Sequence, residues 1–391
     1  MLVIGAGPAG SAAARVLAQA GADVVLVDQR AFPREKICGD GLISDAIGAL
    51  DLLGLRDRVM SEAVRAGELR VYAPSGQFVR IRGGFACVPR ERLDALLLEG
   101  AIEAGARFMA STSACGPIGE RGDVRGARLK SAAGIADIHA RFTLLATGAN
   151  ATALDAFGLQ VSMKPSGVAG RAYFEAPADV VERYPHLTIA YDRDWCPGYG
   201  WIFPAPGNRF NIGVGLFSND EGPSKLREFW EWFRRRSAQA AAIVAASRQL
   251  TPFRGAALRT GLIGAQFGQR GLVVIGEAAA MTYPGTGEGI GKAMESGIVA
   301  ARFVGDALAG RMAAGDVAAA YEEEFRHRFG SRYHAYQRAQ RWAGSPFLLN
   351  LLARRANAGR FVREELEALV DERGDPSLLF SRRGMLIALV R

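Results

Sequence analysis

Three apolar runs along the chain, Met1-Leu-Val-Ile4, Val24-Val-Leu-Val27 and Leu272-Val-Val-Ile275, carry no polar interruption, the pattern of short strands buried on both faces. Elsewhere the pattern alternates. In Tyr199-Gly-Trp201-Ile-Phe203 the aromatic residues occupy every second position, so one strand face would carry all three rings. Glu68-Leu-Arg-Val-Tyr72 and Phe78-Val-Arg-Ile81 flank Ala73-Pro-Ser-Gly76 and predict a hairpin, with further strands at Arg171–Phe174 and Asn211–Gly215. Past residue 330 the period changes: Val362, Leu366, Leu369 and Val370 fall on one face of a helix. The expected class is α/β, with a β-sheet domain of its own and a helical C-terminal region.

Length and composition narrow the picture. A chain of 391 residues with 49% hydrophobic and 23% charged residues can bury a large core and is neither disordered nor fibrous. The formal charge of +8 comes almost wholly from arginine, since lysine occurs only at positions 36, 130, 164, 225 and 292. No nucleic-acid-binding signature accompanies that charge, so nucleic acid is not an expected partner. Cys38, Cys87, Cys115 and Cys196 are widely spaced, which argues against a disulfide framework and a structural zinc site. His139, His186, His327 and His334 show no metal spacing, and no metal is expected. With no apolar run of about 20 residues and no basic-then-apolar leader, a cytoplasmic protein is expected.

Glycine is in excess, 48 in all, and part of the excess has a chemical meaning. The first apolar run leads directly into Gly5-Ala-Gly7-Pro-Ala9-Gly10 and then a helical stretch of small residues. In this setting Gly5 allows the tight turn, Gly7 lets a pyrophosphate approach the backbone, and Gly10 lets helix and strand pack closely. The phosphates would meet the free N–H groups of the helix N-terminus. Asp28 ends the second strand, where an acid can accept hydrogen bonds from ribose hydroxyls. Far downstream, Gly276-Glu277-Ala-Ala-Ala and Pro284-Gly-Thr-Gly287-Glu-Gly289-Ile290 form a second glycine-rich helix start with no ribose acid of its own. It reads as the site of the other end of one long cofactor, FAD. Glu277 would hold the ribityl chain, and the helix N-terminus near Gly287, Gly289 and Ile290 would face the flavin pyrimidine edge, where negative charge builds on reduction.

These two motifs together resemble flavoproteins of the para-hydroxybenzoate hydroxylase fold, and more narrowly the geranylgeranyl reductase family. Lys36-Ile-Cys38-Gly39-Asp40-Gly41-Leu42 is similar to that family's K-x-C-G-D-G-L segment, and Tyr199-Gly-Trp201-Ile-Phe203-Pro204 to its Y-x-W-x-F-P segment. Leu144-Leu-Ala-Thr147-Gly148-Ala149 is similar to its A-T-G-A strand end, and Arg90-Glu-Arg-Leu93-Asp94 to its R-x-x-[FL]-D helix start. The resemblance runs from residue 1 to about 305. It implies that Cys38 and Gly39 lie beside the isoalloxazine, that Arg90 and Gly148 lie at the FAD, and that Tyr199, Trp201 and Phe203 line an isoprenoid pocket. Two departures stand out: Glu277 where Asp is usual, and Ile43-Ser44 where bacterial relatives often carry Thr-Pro.

With these placements a discontinuous Rossmann-like FAD-binding domain is expected at 1–62, 88–155 and 256–330, a β-sheet substrate domain at 63–87 and 156–255, and a helical C-terminal region at 331–391. Cys38 is either a packing residue or a group touching flavin or substrate, and Asp40 is either a proton carrier or a turn residue. The three aromatics are either ordinary sheet core or a ligand wall. The leading expectation is an FAD-dependent reductase that saturates C=C bonds of a prenyl or polyene chain, with Cys38 and Asp40 as candidate catalytic groups. The alternative is a monooxygenase or halogenase of the same fold. Against it, no Asp-Gly follows the Leu144–Ala146 strand, and no lysine lies between Lys36 and Lys130. A quinone-linked electron carrier would need C-terminal iron–sulfur cysteines, which are absent. The electron donor, NAD(P)H or ferredoxin, is open. Eleven arginines against six acids in residues 330–391 suggest either a solvated tail or peripheral contact with the inner membrane surface.

Overall fold

Leu2–Ile4 lies inside a six-stranded sheet between Val25–Val27 and Thr143–Leu145, parallel to both. The computed structural model describes residues 1–120, 122–159, 165–217, 223–381 and 384. The sheet continues through Leu272–Val274 to Gly268–Gln269 on one side and ends at Arg107–Met109 on the other. Every residue of Leu2–Ile4, Thr143–Leu145 and Leu272–Val274, three of its four inner strands, is buried, which accounts for the uninterrupted apolar reading of the first and the last. The helix Pro8–Gln19 follows the first strand and packs on the long helix Ile290–Leu308. Their approach is too close for ordinary side chains: a Cβ on Gly297 would stand 2.3 Å from the carbonyl of Ala9.

A larger sheet of nine strands supplies the other half of the molecule. Its centre is antiparallel, with Tyr199–Ala205 between Leu187–Tyr191 and Arg209–Leu216. Leu187–Tyr191 then joins, in parallel, the hairpin of Val64–Tyr72 and Phe78–Cys87. Gly41–Leu42 adds the edge strand beside that hairpin, so part of segment 1–62 belongs to this sheet. Helix Pro223–Arg236 covers its back, where Phe229, Trp230 and Phe233 meet Ile202, Ile212 and Val214. The front faces the six-stranded sheet.

The helix Val317–Ala343 runs straight through the expected 330/331 junction, so the C-terminal region begins as a continuation of a helix packed on the nucleotide half. Helices Pro346–Ala358 and Phe361–Val370 then back the hairpin, burying Ala353, Ala356, Val362 and Leu369 against Val79, Ile81 and Phe85. Arg382, Arg383 and Arg391 of the basic tail lie outside the described residues. Among the described residues, no helix is long and apolar enough to cross a membrane. A three-stranded meander at Ser113–Glu120, Asp123–Ser131 and Gly134–His139 was not expected from the sequence. Its outer strands are largely exposed and lack an apolar stripe.

Gly200 lets the covering helix seat. A Cβ there would stand 2.2 Å from the Phe233 ring, which is fully buried. Phe233→Ala is expected to cost roughly 3–5 kcal/mol, and Gly200→Ala roughly 1–3 kcal/mol through overpacking. Because both alter one contact, the double variant should lose less than the two singles combined. Denaturant midpoints of the four proteins check this, and simple additivity would contradict it.

Candidate functional site

The two sheets enclose a cavity of about 870 Å³. Its polar end is built from the glycine turn. Gly5 has φ of +103°, and a Cβ there would meet the carbonyl oxygen of Ala146 at 2.3 Å. A Cβ on Gly10 would fall 1.8 Å from the carbonyl of Gly5, so this glycine serves the strand-to-helix packing and does not line the cavity. Gly7 differs: its Cβ direction is open apart from an Arg34 nitrogen at 3.6 Å, and Gly7 and Ala9 line the cavity. Asp28 is buried at the strand end, where one oxygen accepts from Ala6 N–H and the other from Arg30 N–H, both at 2.9 Å. Arg34 lies near it, 3.1 Å from Asp94 and 3.9 Å from Asp28. Nothing in its local sequence pattern singles Arg34 out.

The segment Cys38–Leu42 crosses between the two sheets. Asp40 takes left-handed backbone, φ +67°, which aspartate tolerates better than most residues. Its carboxylate is buried and accepts from Arg90 N–H at 3.2 Å, from Asn211 Nδ2 at 2.7 Å and from the Tyr173 hydroxyl. Burial still pushes its pKa above the usual carboxylate range, with the Tyr173 and Asn211 hydrogen bonds opposing. Asn211 also donates to the Cys38 carbonyl at 2.8 Å and accepts from Trp201 Nε1 at 2.9 Å. It therefore locks loop, acid and aromatic wall together. Asn211 and Tyr173 were not among the expected site residues, although an asparagine inside an apolar strand was a signal for the first. Cys38 lines the cavity beside Arg90, whose guanidinium is held on Asp94 by two bonds of 2.7 and 2.9 Å. Burial raises the thiol pKa, with Arg90 drawing it down and Asp40 pushing it up.

Tyr199, Trp201 and Phe203 all face the cavity, while Ile202 between them joins the core behind the sheet. The ring of Trp201 lies over Gly213, where a Cβ would stand 2.2 Å from it. Phe203 meets the loop at Gly39 and Gly41, whose Cβ positions would be 3.4 and 3.1 Å from its ring. Tyr199 stacks on Phe217 at 5.4 Å between centroids and donates to the carbonyl of Thr286. Leu69, Leu187 and Ile189 extend this apolar end.

The second glycine-rich segment closes the cavity from the nucleotide side. Gly289 caps the helix Ile290–Leu308, and Gly287, Gly289 and Ile290 line the space with Gly148 and Glu277. Glu277 lies 3.8 Å from Lys36 and accepts from Arg259 N–H at 3.4 Å. Two glycine-lined helix starts, an acid at a strand end and an apolar wall thus share one elongated cavity. Residues of this kind fit FAD: Gly7 is open for phosphates to approach the backbone, and the Gly289 helix end can face an anionic ring edge.

A half-buried thiol whose pKa is raised, as that of Cys38 is, is a poor nucleophile at neutral pH. Iodoacetamide at pH 7 is expected to label exposed Cys115 and leave Cys38 unmodified in the native protein. Peptide mass spectrometry reads the outcome, and rapid Cys38 labelling at pH 7 would show a thiolate instead.

Comparison with known proteins agrees with this geometry. The FAD binding domain family matches residues 1–334. A menaquinone reductase from Mycobacterium tuberculosis is 33% identical over 324 residues, covering 78% of this chain and 76% of that protein. A digeranylgeranylglycerophospholipid reductase from Methanosarcina acetivorans is 31% identical over 345 residues, covering 83% and 78%. Among solved structures, a geranylgeranyl bacteriochlorophyll reductase-like protein from Thermoplasma acidophilum superposes with a TM-score of 0.80 at 22% identity, covering 100% of this chain and 95% of that one. With the glycine turns and the family match in agreement, the chain belongs to the FAD binding domain family, within the geranylgeranyl reductase group of FAD-dependent oxidoreductases.

Proposed function

We propose that the protein reduces C=C bonds in a prenyl or polyene chain. The observation that carries this reading is the continuity of the aromatic wall with the Cys38–Asp40 loop: the Phe203 ring lies where a Cβ on Gly39 or Gly41 would meet it at 3.4 or 3.1 Å. A long apolar substrate laid along Tyr199, Trp201 and Phe203 would present its double bond beside that loop. The names of the two sequence relatives, both reductases and one acting on a digeranylgeranyl lipid, support the same chemistry. FAD, when bound and reduced by an external donor, would supply the hydride. Gly5, Gly7, Ala9, Asp28, Arg90, Gly148, Glu277, Gly287, Gly289 and Ile290 are its proposed binding residues, with Gly10 acting through packing.

Reduction also needs a proton at the neighbouring carbon. Cys38 keeps its proton because burial disfavours the thiolate, so it can hold that proton at Sγ on the cavity wall. Asp40 is the positioning group: fixed by Tyr173, Asn211 and the Arg90 N–H, it sets the loop that carries Cys38. We take residues 1–62, 88–155 and 256–330 as the FAD domain and residues 63–87 and 156–255 as the substrate domain, a division that the cavity lining supports except at the Gly41–Leu42 strand.

A membrane surface suits such a substrate, and the C-terminal helices offer a contact. Phe347 is 72% exposed at the start of Pro346–Ala358, with exposed Arg354 on the same helix and exposed Arg341 just before it. Basic residues beside an exposed aromatic are suited to anionic lipid.

Two measurements test these readings. The FAD-loaded protein, reduced anaerobically by dithionite and given a prenylated quinone or polyprenyl lipid, should yield a product heavier by two hydrogens per bond reduced. A product bearing one added oxygen or halogen, formed only in air, would instead identify the oxygen-using chemistry of the alternative; repeating the turnover with NAD(P)H and with reduced ferredoxin identifies the donor. In flotation, the protein should accompany vesicles containing phosphatidylglycerol, lose them at high salt, and bind several-fold more weakly as Phe347→Ala. Equal binding to neutral vesicles would dismiss the electrostatic contact.

A further inference from the structure

Behind the cavity, at the N-terminus of the helix Ile290–Leu308, lies a charge cluster that neither the sequence motifs nor the proposed chemistry uses. Lys292, fully buried, is 3.5 Å from Asp45, 2.5 Å from Glu295 and 3.2 Å from Glu372. These groups come from four places in the chain: Asp45 from the helix Ser44–Leu52, Lys292 and Glu295 from Ile290–Leu308, Arg332 from Val317–Ala343, and Glu372 from the turn after Phe361–Val370. Arg332 is 3.6 Å from Glu372. Glu288, one residue before the Gly289 cap, faces the same cluster and lines the cavity, as does Asp45. Four carboxyl groups thus share two cations.

The packing makes this arrangement deliberate. The carboxyl of Asp45 presses on the first turn of the helix at Gly291, where a Cβ would stand 2.2 Å from it. Asp45 is 6% exposed, and its Oδ2 accepts no hydrogen bond. The same holds for buried Glu288 Oε2 and Glu372 Oε1. Tyr283, Tyr333 and Tyr336 close the cluster from one side, and Tyr191 and Tyr199 approach Glu288 from the cavity side. None of these phenols ionises near neutrality, since burial raises each of them. Buried carboxyls this short of donors hold protons more readily than exposed ones. Burial, with Asp45 and Glu372 nearby, raises Glu288 to about 8 against the pull of Lys292 and Arg332. Burial raises Asp45 to about 7, with Lys292 opposing and Glu372 and Glu295 adding.

We propose that Glu288, backed by Asp45 and Lys292, is a positioning group that stores a proton against the charge of the bound FAD. Above about pH 8, where Glu288 is ionised, an external two-electron donor such as a dihydronicotinamide delivers its electron pair as hydride, which carries the ring proton with it, and a second proton moves from solvent to the Glu288 carboxylate. When the pair leaves as hydride it takes the ring proton with it, and the Glu288 carboxyl returns its own proton to solvent. The physical reason is proximity: negative charge gathering at the Gly289 helix end makes an adjacent carboxylate harder to keep ionised. The inference rests on FAD occupying the cavity and is independent of the substrate.

The test is the pH dependence of the FAD midpoint potential from pH 6 to 9.5, measured by spectroelectrochemistry with mediator dyes on the FAD-loaded protein, Glu288→Gln and Asp45→Asn. Above about pH 8 the wild type should take up more than one proton per electron pair, and Glu288→Gln only one. Asp45→Asn should move the extra uptake to lower pH, because a neighbouring negative charge is gone. Equal proton counts in wild type and Glu288→Gln would overturn the proposal. Should Glu288→Gln fail to bind FAD, an unshifted profile in Asp45→Asn would overturn it equally. The oxidised flavin absorption gives a second readout: a small pH-dependent shift centred near 8 in the wild type, absent from Glu288→Gln.

Discussion

The carboxylate of Asp40 accepts hydrogen bonds from Asn211 and Tyr173 of the nine-stranded sheet and from the N–H of Arg90, at the start of the helix Arg90–Glu103 that packs on Pro8–Gln19. Removing a carboxylate from water costs several kcal/mol, and hydrogen bonds to a charged group offset roughly 1.5–3 kcal/mol each. Those donors come from both halves of the molecule, so the acid is stable in place only where the halves meet in one register. Loss of any donor leaves a buried acid under-satisfied and frees the loop carrying Cys38. The relation of the thiol to the aromatic wall is therefore set by this joint, since Asn211 holds Asp40, the Cys38 carbonyl and the Trp201 indole at once.

How much of this was legible in the sequence follows from what each element packs against. Leu2–Ile4 and Leu272–Val274 are buried on both faces, so they read as unbroken apolar runs and the glycine turns after them could be placed. The hairpin at residues 64–87 was visible through its turn, though shorter than it is. The meander at 113–139 was not visible because its outer strands are largely exposed and carry no periodic apolar face. Within the site, local motifs located Asp28, Cys38, Asp40 and the three aromatics. They did not single out Tyr173, and for Asn211 offered only a polar residue in an apolar strand, because the importance of both lies in partners more than 130 residues away in the chain. The pairing of Asp45 with Lys292, and of Lys292 with Glu372 in the C-terminal segment, is likewise tertiary. Lys292 within a helix near a glycine loop gives no local sign that it is fully buried.

The C-terminal helices illustrate the same limit from the other direction. The spacing of Val362, Leu366, Leu369 and Val370 correctly implied an apolar helix face. It could not say that this face backs the Val64–Cys87 hairpin, nor that Glu372 beyond it reaches the flavin-side helix. Through these contacts the C-terminal segment supports both ends of the cavity: the hairpin adjoins the apolar end, and Glu372 meets Lys292 behind the Gly289 cap.

Charge state links the chemistry to the apolar wall. A thiolate at Cys38 or an ionised Glu288 would place negative charge on a cavity surface that also carries Trp201, Phe203 and Phe217, and near neutral pH burial disfavours both ions in spite of the nearby cations. A neutral surface favours an alkene chain, because no ion must be stripped of water when the chain enters. It also leaves the positive end of the helix Ile290–Leu308 uncancelled by a nearby carboxylate and free to attract negative charge arriving at that end. Neutral groups that could ionise are thus more useful here than permanently apolar ones: they accept an apolar ligand as a leucine would, yet can hold or release a proton where electrons move.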